Sequence, residues 1–362
     1  MGILRPDESK RIEIEEFRRM LLHNYVEVHT NYKAKLVEEE FINNQGVVMP
    51  AVQQVEEKKV CVTSGVSFLG IAIVNQLLLR GYSVRVIVDN QEDLEKLREM
   101  ENSGEMRESS NSIEAVMASL TQVETLSEAF RDCCGVFHAA AFVDPAGLSG
   151  YTKSMAEIEV TVSKNVTEAC AATSSVRKCI LTSSLVACIW QNIGSNSRTI
   201  DHDCWSDESI CSNKKLWYAL GKLKAEKIAW NVAEKSGFKL ATICAGLVTG
   251  SAFFTRNPTS TIAYLKGAQE MFKNGLLATV DVNRLAKAHV MVFEEMNKTA
   301  FGRYVSFDKV IKSEDEFEKL ARETGIEIGV NSPFRVTRND IKLSNVKLCR
   351  LMSTTFRCIS EH

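Results

Sequence analysis

The sequence predicts an α/β fold, with a doubly wound parallel sheet followed by a smaller and mostly helical lobe. From Lys59 onward, short β-branched runs such as KVCVTS and YSVRVIVD alternate with helical stretches, a pattern that is typical of a parallel sheet covered on both faces. After Gly250 this alternation weakens and helical spacing dominates. A lobe in that position would cover the carboxyl ends of the strands, where open α/β sheets bind their ligands.

These patterns divide the chain into three parts. Residues 58–250 form the sheet domain, and residues 251–362 form the lobe and a C-terminal tail. In residues 1–57, the apolar positions between Ile14 and Leu21 recur at helical spacing, which predicts one amphipathic helix. The apolar face of that helix either docks a protein partner or packs on its own domain.

Composition excludes several classes of partner. The chain has 362 residues, of which 45% are hydrophobic, so it can bury a large core. Its 44 basic and 46 acidic residues nearly cancel, which argues against binding to nucleic acid or an anionic membrane. Eleven scattered cysteines without a C-x-x-C pair indicate a reducing compartment. No secretory signal or transmembrane run is evident, and we expect a cytoplasmic protein.

The segment KVCVTSGVSFLGIAIV has the strand, turn and helix order of a loop that binds dinucleotide phosphates. Read as G-x-G-x-x-G, it holds Gly65, Ser67 and Gly70 at the glycine positions. The middle glycine normally lets the backbone approach the pyrophosphate, so the Ser67 hydroxyl either crowds a phosphate or hydrogen-bonds to it. The predicted cofactor-binding residues of this loop are Ser64, Gly65, Ser67, Phe68, Leu69 and Gly70.

Asp89 ends the second predicted strand, nineteen residues after Gly70. An acid at about this spacing holds the ribose 2′-hydroxyl of NAD and repels the 2′-phosphate of NADP, so Asp89 favours NADH. The alternative is that Asp89 and Asn90 start a turn, because DNQED is rich in turn-forming residues. The two interpretations are compatible.

A second group of polar residues follows at the end of a later strand. LTSSLVACIW places Ser183 and Ser184 at a strand end, and KLWYALGKLKAEKIAW places Tyr218 and Lys222 four residues apart on one helical face. Behind a phosphate loop, this ordered set indicates a catalytic group. The alternative is a strand-end hydroxyl pair with a surface tyrosine and lysine. The neighbouring Leu216 and Trp217 are expected to wall an apolar pocket.

With these motifs the chain resembles the extended short-chain dehydrogenases/reductases, which have a Rossmann fold. It is most similar to plant cinnamoyl-CoA reductases and dihydroflavonol reductases, and within them to cinnamoyl-CoA reductase-like proteins of plant defence. The resemblance runs from about Val60 to Val305. It is carried by VSFLG, GVFHAAAFVDP, LTSSLVAC, DHDCWSDESIC, LWYALGKLKAEKIAW and GRYVSFD.

The resemblance implies a role for each polar residue. Tyr218 would donate a proton to a carbonyl oxygen, and Lys222 would bind the nicotinamide ribose and lower the pKa of Tyr218. Ser184 would hydrogen-bond the substrate carbonyl, and His138 would form part of the wall beside the adenine and ribose. The expected activity is NAD(P)H-dependent reduction of an aldehyde, ketone or thioester on an apolar, phenylpropanoid-like small molecule. Residues 58–250 would bind the dinucleotide, and residues 251–362 would form the substrate lobe.

The chain departs from the family pattern at several positions. The family's T-G-x-x-G-F-[IL]-G reads TSGVSFLG, with Ser64 and Ser67 at the first two glycines. Asp89 stands where the reductases usually have an arginine suited to NADPH, and LWYALGK replaces the N-W-Y-C-Y-G-K of genuine cinnamoyl-CoA reductases. A second hypothesis is therefore a weak or inactive reductase scaffold that acts as a cofactor sensor or binding partner.

DHDC, residues 201–204, is the one stretch that suggests metal ligands. Four consecutive residues cannot all converge on one ion, and the sequence shows no partner cluster. We therefore expect a polar loop and no metal site.

Overall fold

The computed structural model describes residues 58–106, 113–139, 151–192, 199–325 and 341–359, with side chains as far as Ser353. These residues belong to one compact unit, Glu57–His362. The predicted N-terminal extension and its helix lie outside the described residues. In the described stretches, no helix is both long enough and apolar enough to cross a bilayer.

Twelve strands occur in the described residues. They are β1 (Lys59–Thr63), β2 (Ser83–Val88), β3 (Ile113–Met117), β4 (Gly135–His138), β5 (Lys178–Ser184), β6 (Thr199–Ile200), β7 (Lys239–Ala245), β8 (Leu247–Thr249), β9 (Ala278–Asp281), β10 (Gly302–Ser306), β11 (Lys309–Val310) and β12 (Lys342–Leu343). Seven of them form the central sheet, in the order β10-β7-β5-β4-β1-β2-β3. All of its pairings are parallel, which confirms the predicted doubly wound α/β class.

Helices cover both faces of this sheet. The described helices are α1 (Phe68–Leu79), α2 (Gln91–Asn102), α3 (Val123–Ala129), α4 (Lys153–Ala172), α5 (Val186–Ile189), α6 (Glu208–Asn213), α7 (Trp217–Ser236), α8 (Phe253–Arg256), α9 (Pro258–Leu265), α10 (Ala268–Lys273), α11 (Val282–Glu295), α12 (Glu314–Thr324) and α13 (Val346–Ile359). Because side chains alternate along a strand, Val60 and Val62 join the core formed with α1 and α11, while Cys61 joins the core formed with α4 and α7.

The segment after residue 250 is tied to the sheet. β10 pairs with the edge of β7, with Arg303 opposite Thr242. Arg303 also forms an ion pair with the fully buried Glu226 of α7 at 2.7 Å. β8, β9 and β11 form a separate three-stranded sheet beside the helices α8 to α10. The predicted lobe thus shares a strand and a buried charge pair with the central sheet.

The turn between β1 and α1 is tight. Ser64 has a positive φ of 55°, and its carbonyl accepts the Ser67 N–H at 3.0 Å. A Cβ on Gly70 would lie 2.1 Å from the Ser64 oxygen, so glycine is required at position 70. Ser64 itself adopts a left-handed conformation that only glycine adopts without cost.

We expect Ser64→Gly to raise the free energy of unfolding by up to about 1 kcal/mol, because it removes the left-handed penalty at the cost of some unfolded-chain entropy. Urea unfolding would measure it. Ser67→Gly is the matched control: Ser67 has a φ of −75° and caps α1, so this change should not stabilise the fold. An unchanged or lower stability of Ser64→Gly would contradict the expectation.

Candidate active site

The phosphate loop leads directly into a helix N-terminus. Ser67 is the N-cap of α1, and its hydroxyl accepts the Gly70 N–H at 3.1 Å. The N–H groups of Phe68 and Leu69 in the first turn have no acceptor within the helix. Together with the positive end of the helix dipole, they make this turn suited to an anion. The Ser67 hydroxyl accepts one hydrogen bond and still has its own proton to donate.

Two cavities meet at this loop. The loop cavity is lined by Ser64, Asp89, Asp93 and Lys96, among others. The tyrosine cavity is lined by Ser184, Tyr218, Lys222 and Tyr264, among others. Both cavities are also lined by Ser67, Phe68 and Asn257, so they adjoin each other at the start of α1. Each half of a dinucleotide would have its own cavity, with the pyrophosphate at the start of α1.

Asp89 lies directly after β2 and lines the loop cavity. The neighbouring Asn90, rather than Asp89, caps α2, because its side chain accepts the Asp93 N–H at 2.9 Å. The turn and the cavity position are therefore both present. Lys96 lines the same cavity and pairs with Glu92 at 2.8 Å.

Ser184, Tyr218 and Lys222 come together in the tyrosine cavity. Ser184 ends β5, and its hydroxyl donates to the Ala245 carbonyl oxygen at 3.4 Å and lies beside the Tyr218 phenol. Lys222 lies one turn after Tyr218 on α7, with its Nζ 5.6 Å from the centre of the Tyr218 ring. Ser183 also lines this cavity, but its hydroxyl donates to Glu226 at 2.7 Å.

The pKa of Tyr218 lies above its ordinary value. Burial raises it, the Lys222 ammonium lowers it, the Glu159 carboxylate raises it, and the neighbouring Ser184 hydroxyl lowers it. The family resemblance implies that Lys222 lowers the pKa of Tyr218. This lowering is one contribution, and burial together with Glu159 outweighs it. Burial alone would lower the pKa of Lys222, but Glu159 and Tyr218 raise it above the ordinary lysine value.

His138 ends β4 and hydrogen-bonds to the Thr63 hydroxyl at 2.9 Å. Burial, with the nearby Lys222 charge, lowers the pKa of His138 to about 3, so its ring is neutral near pH 7. It lines neither of the two larger cavities, but a smaller one behind Lys222 that also contacts Glu159 and Glu226.

Sequence reasoning missed three residues of this site. Glu159 of α4 is 6% exposed and forms an ion pair with Lys222 at 2.5 Å. Tyr151 donates to the other oxygen of Glu159 and contacts Tyr218 edge to face, with ring centres 5.1 Å apart. Thr261 lines the tyrosine cavity, and its hydroxyl is buried without a hydrogen-bond partner in the described part of the chain.

The expected apolar wall lies elsewhere than predicted. Trp217 packs against a small cluster with Tyr151 and Ala263 and does not line the tyrosine cavity. The apolar lining of the tyrosine cavity comes instead from residues such as Leu247, Val248 and Tyr264.

In the stretch 201–204, Asp201, His202 and Asp203 bring ligand atoms within 4.8 Å of one another. Asp201 also accepts the Asp203 N–H at 3.0 Å, as in a tight turn. We therefore keep the interpretation of a polar loop.

Comparison with known proteins agrees with this geometry. Residues 61–301 match the model of the 3-beta hydroxysteroid dehydrogenase/isomerase family. Cinnamoyl-CoA reductase 1 of Petunia hybrida is 34% identical, over 75% of this chain and 79% of its own. Tetraketide alpha-pyrone reductase 1 of Arabidopsis thaliana is 30% identical, over 71% of this chain and 78% of its own.

Two solved structures share the fold. Vestitone reductase from alfalfa superposes with a TM-score of 0.57 at 22% identity, over 81% of this chain and 91% of its own. The yeast methylglyoxal/isovaleraldehyde reductase Gre2, complexed with NADPH, gives a TM-score of 0.62 at 19% identity, over 82% and 93%. With the family match, these likenesses confirm the resemblance drawn from the motifs: the chain belongs to the 3-beta hydroxysteroid dehydrogenase/isomerase family of extended short-chain dehydrogenases/reductases, a family of NAD(P)-dependent oxidoreductases.

Proposed function

We propose that the protein is an NAD(P)H-dependent reductase of a carbonyl group on an apolar, phenylpropanoid-like small molecule. The observation that carries this proposal is the meeting of Ser184, Tyr218 and Lys222 in a cavity that opens onto the N-terminus of α1. The curated relatives support the substrate class, since they include cinnamoyl-CoA and anthocyanidin reductases.

Ser184, Tyr218 and Lys222 each have a separate role in the reduction of the carbonyl group. When bound, the reduced nicotinamide supplies a hydride to the carbonyl carbon. Tyr218 gives its phenolic proton to the carbonyl oxygen, so an alcohol forms and a phenolate remains. Ser184 holds the same oxygen by a hydrogen bond, and the Lys222 ammonium stabilises the negative charge on Tyr218. The phenolate then regains a proton from solvent.

The tyrosine cavity suits a substrate with an apolar body and one polar substituent. Leu247 and Val248 provide apolar surface beside the catalytic group. The buried Thr261 hydroxyl has no partner among the described residues, and an unsatisfied buried hydroxyl is costly. We assign the Thr261 hydroxyl to a hydrogen bond with a polar atom of the substrate.

For the cofactor, we assign the pyrophosphate to the first turn of α1, with the Ser67 hydroxyl donating to a phosphate oxygen. Asp89 is assigned to the adenosine ribose, where its carboxylate accepts from the 2′-hydroxyl. The predicted wall role of His138 is indirect, because it lies behind Lys222 rather than in either large cavity.

We place this activity in the cytoplasm of a plant cell. The described cysteines are all free thiols, as a reducing compartment would keep them. The relatives named above come from plants.

Tyr218→Phe should lower the reduction of cinnamaldehyde or cinnamoyl-CoA by about 10²–10⁴-fold, because it deletes the proton donor and keeps the ring. NADH affinity should stay nearly constant, since Lys222 and the loop are intact. Steady-state kinetics and fluorescence titration would measure the two quantities.

The matched control is Tyr304→Phe, which removes a phenol that accepts the Phe301 N–H at 3.1 Å, away from both cavities. It should keep wild-type kinetics. If wild type binds NADH but reduces no carbonyl, or if Tyr218→Phe is fully active, the reductase proposal fails and the sensor hypothesis replaces it.

Ser67→Gly should weaken NADH binding at least about five-fold, since losing a hydrogen bond to a charged group costs about 1 kcal/mol or more. Ser67→Ala should weaken it similarly, because it also lacks the hydroxyl. Calorimetry on both variants separates the two interpretations of the loop. Tighter binding by Ser67→Gly alone would mean that the hydroxymethyl group crowds the phosphate, and equal affinity in all three proteins would refute a phosphate contact.

Asp89 should make the protein prefer NADH over NADPH, because its carboxylate repels a 2′-phosphate. Asp89→Asn should reduce that preference by raising NADPH affinity. Glu95→Gln removes the same charge from an exposed position of α2 outside the loop cavity and should leave the preference unchanged. An NADPH preference in wild type that Asp89→Asn does not alter would show that Asp89 has no part in cofactor choice.

A further inference from the structure

A buried carboxylate faces the active-site lysine from a different helix. Glu159 Oε1 lies 2.5 Å from Lys222 Nζ, and the two side chains are only 8% and 9% exposed. The second carboxylate oxygen accepts a hydrogen bond from Tyr151. Both carboxylate oxygens of Glu159 therefore have a partner, Lys222 or Tyr151. These contacts stabilise the buried carboxylate, because an unpaired charge at that position would be strongly unfavourable.

Close packing of α4 on α7 sets this position. A Cβ on Gly221 would lie 3.1 Å from Ala156 and 3.1 Å from the Tyr151 hydroxyl, so glycine lets the helices approach. Further along the same contact, the Ser163 hydroxyl donates to the Ala225 carbonyl at 3.0 Å. Glu159 lies between these two contacts, opposite Lys222.

The charges around Tyr218 and Lys222 leave Glu159 as the dominant anion. The titratable groups that face this pair are His138 from β4, Tyr151, Glu159 from α4, Glu226 from α7 and Tyr264 from α9. The two other tyrosines are neutral, because burial raises the pKa of each. His138 is neutral as well.

Glu226 has its own cation. Arg303 contacts it at 2.7 Å, and the Ser183 and Thr242 hydroxyls also donate to it. Its negative charge is therefore largely balanced, whereas the charge of Glu159 acts directly on Lys222.

We propose that Glu159 is a positioning residue of the reductase: its carboxylate holds the Lys222 ammonium in an ion pair beside the ring of Tyr218. This inference rests on the proposed function. Glu159 acts through Lys222 and Tyr218 and does not touch the carbonyl. The alternative is that the ion pair only joins two helices, in which case its charge would not affect the pH dependence of catalysis.

The test is the pH profile of kcat/KM for cinnamaldehyde reduction with NADH. The rate should fall at high pH as the pair of Tyr218 and Lys222 releases its first proton. Removing the negative charge of Glu159 favours the release of this proton, whether Tyr218 or Lys222 loses it. Glu159→Gln keeps the shape of the side chain and should move the alkaline limb to lower pH by about one unit or more.

Three further variants are measured beside Glu159→Gln. Glu159→Asp keeps the charge and should return the limb toward wild type. Glu157→Gln removes a carboxylate from the exposed face of α4, where it lies 3.9 Å from Lys153, and should leave the limb in place. Glu159→Ala, with space for water, replaces Glu159→Gln if circular dichroism shows that the latter does not fold.

The outcomes separate the inference from the proposed function. If the wild-type protein reduces cinnamaldehyde and Glu159→Gln has the same alkaline limb, the role of Glu159 is overturned. The proposed reductase function then still stands. A wild-type protein that binds NADH and reduces no carbonyl overturns both. A limb that shifts equally in Glu157→Gln would show a general charge effect and would also overturn the role of Glu159.

Discussion

The parallel pairing of β1, β4, β5 and β7 is the constraint on which the site depends. In register, Thr63 lies beside His138, and Ser184 lies beside Ala245. Because parallel strands all end at the same edge of the sheet, every loop that follows them opens toward one crevice. The phosphate loop after β1 and the serine at the end of β5 are brought together by this geometry alone, although the sequence separates them widely.

The sequence predicted the parts of this arrangement that depend on local pattern. The alternation of strand and helix revealed the fold, and the spacing of Tyr218 and Lys222 placed both on one helical face. Ser184 was recognisable because it ends a buried strand. Each of these signals lies within one element or between neighbouring elements, where period and spacing carry structural information.

Glu159 was not predictable in this way. Glu157 and Glu159 lie in the same acidic stretch of α4, and nothing in the sequence distinguishes the exposed one from the buried one. The difference arises from how α4 packs on α7, a contact between helices far apart in the chain. Trp217 failed as a predicted pocket wall for the same reason, since the rotation of α7 turned it toward Tyr151 and Ala263. Neither helix packing nor helix rotation can be obtained from a single amphipathic pattern.

The pair formed by Glu226 and Arg303 has a consequence for biosynthesis. These residues are 77 positions apart, so a ribosome that has just completed β7 has already made the acid but not its cation. Removing one partner of a buried ion pair costs about 3–5 kcal/mol, and the sheet also lacks its edge strand β10 at that moment. The arginine that balances Glu226 and the strand that covers the edge of β7 are thus supplied by one late segment, Gly302–Ser306.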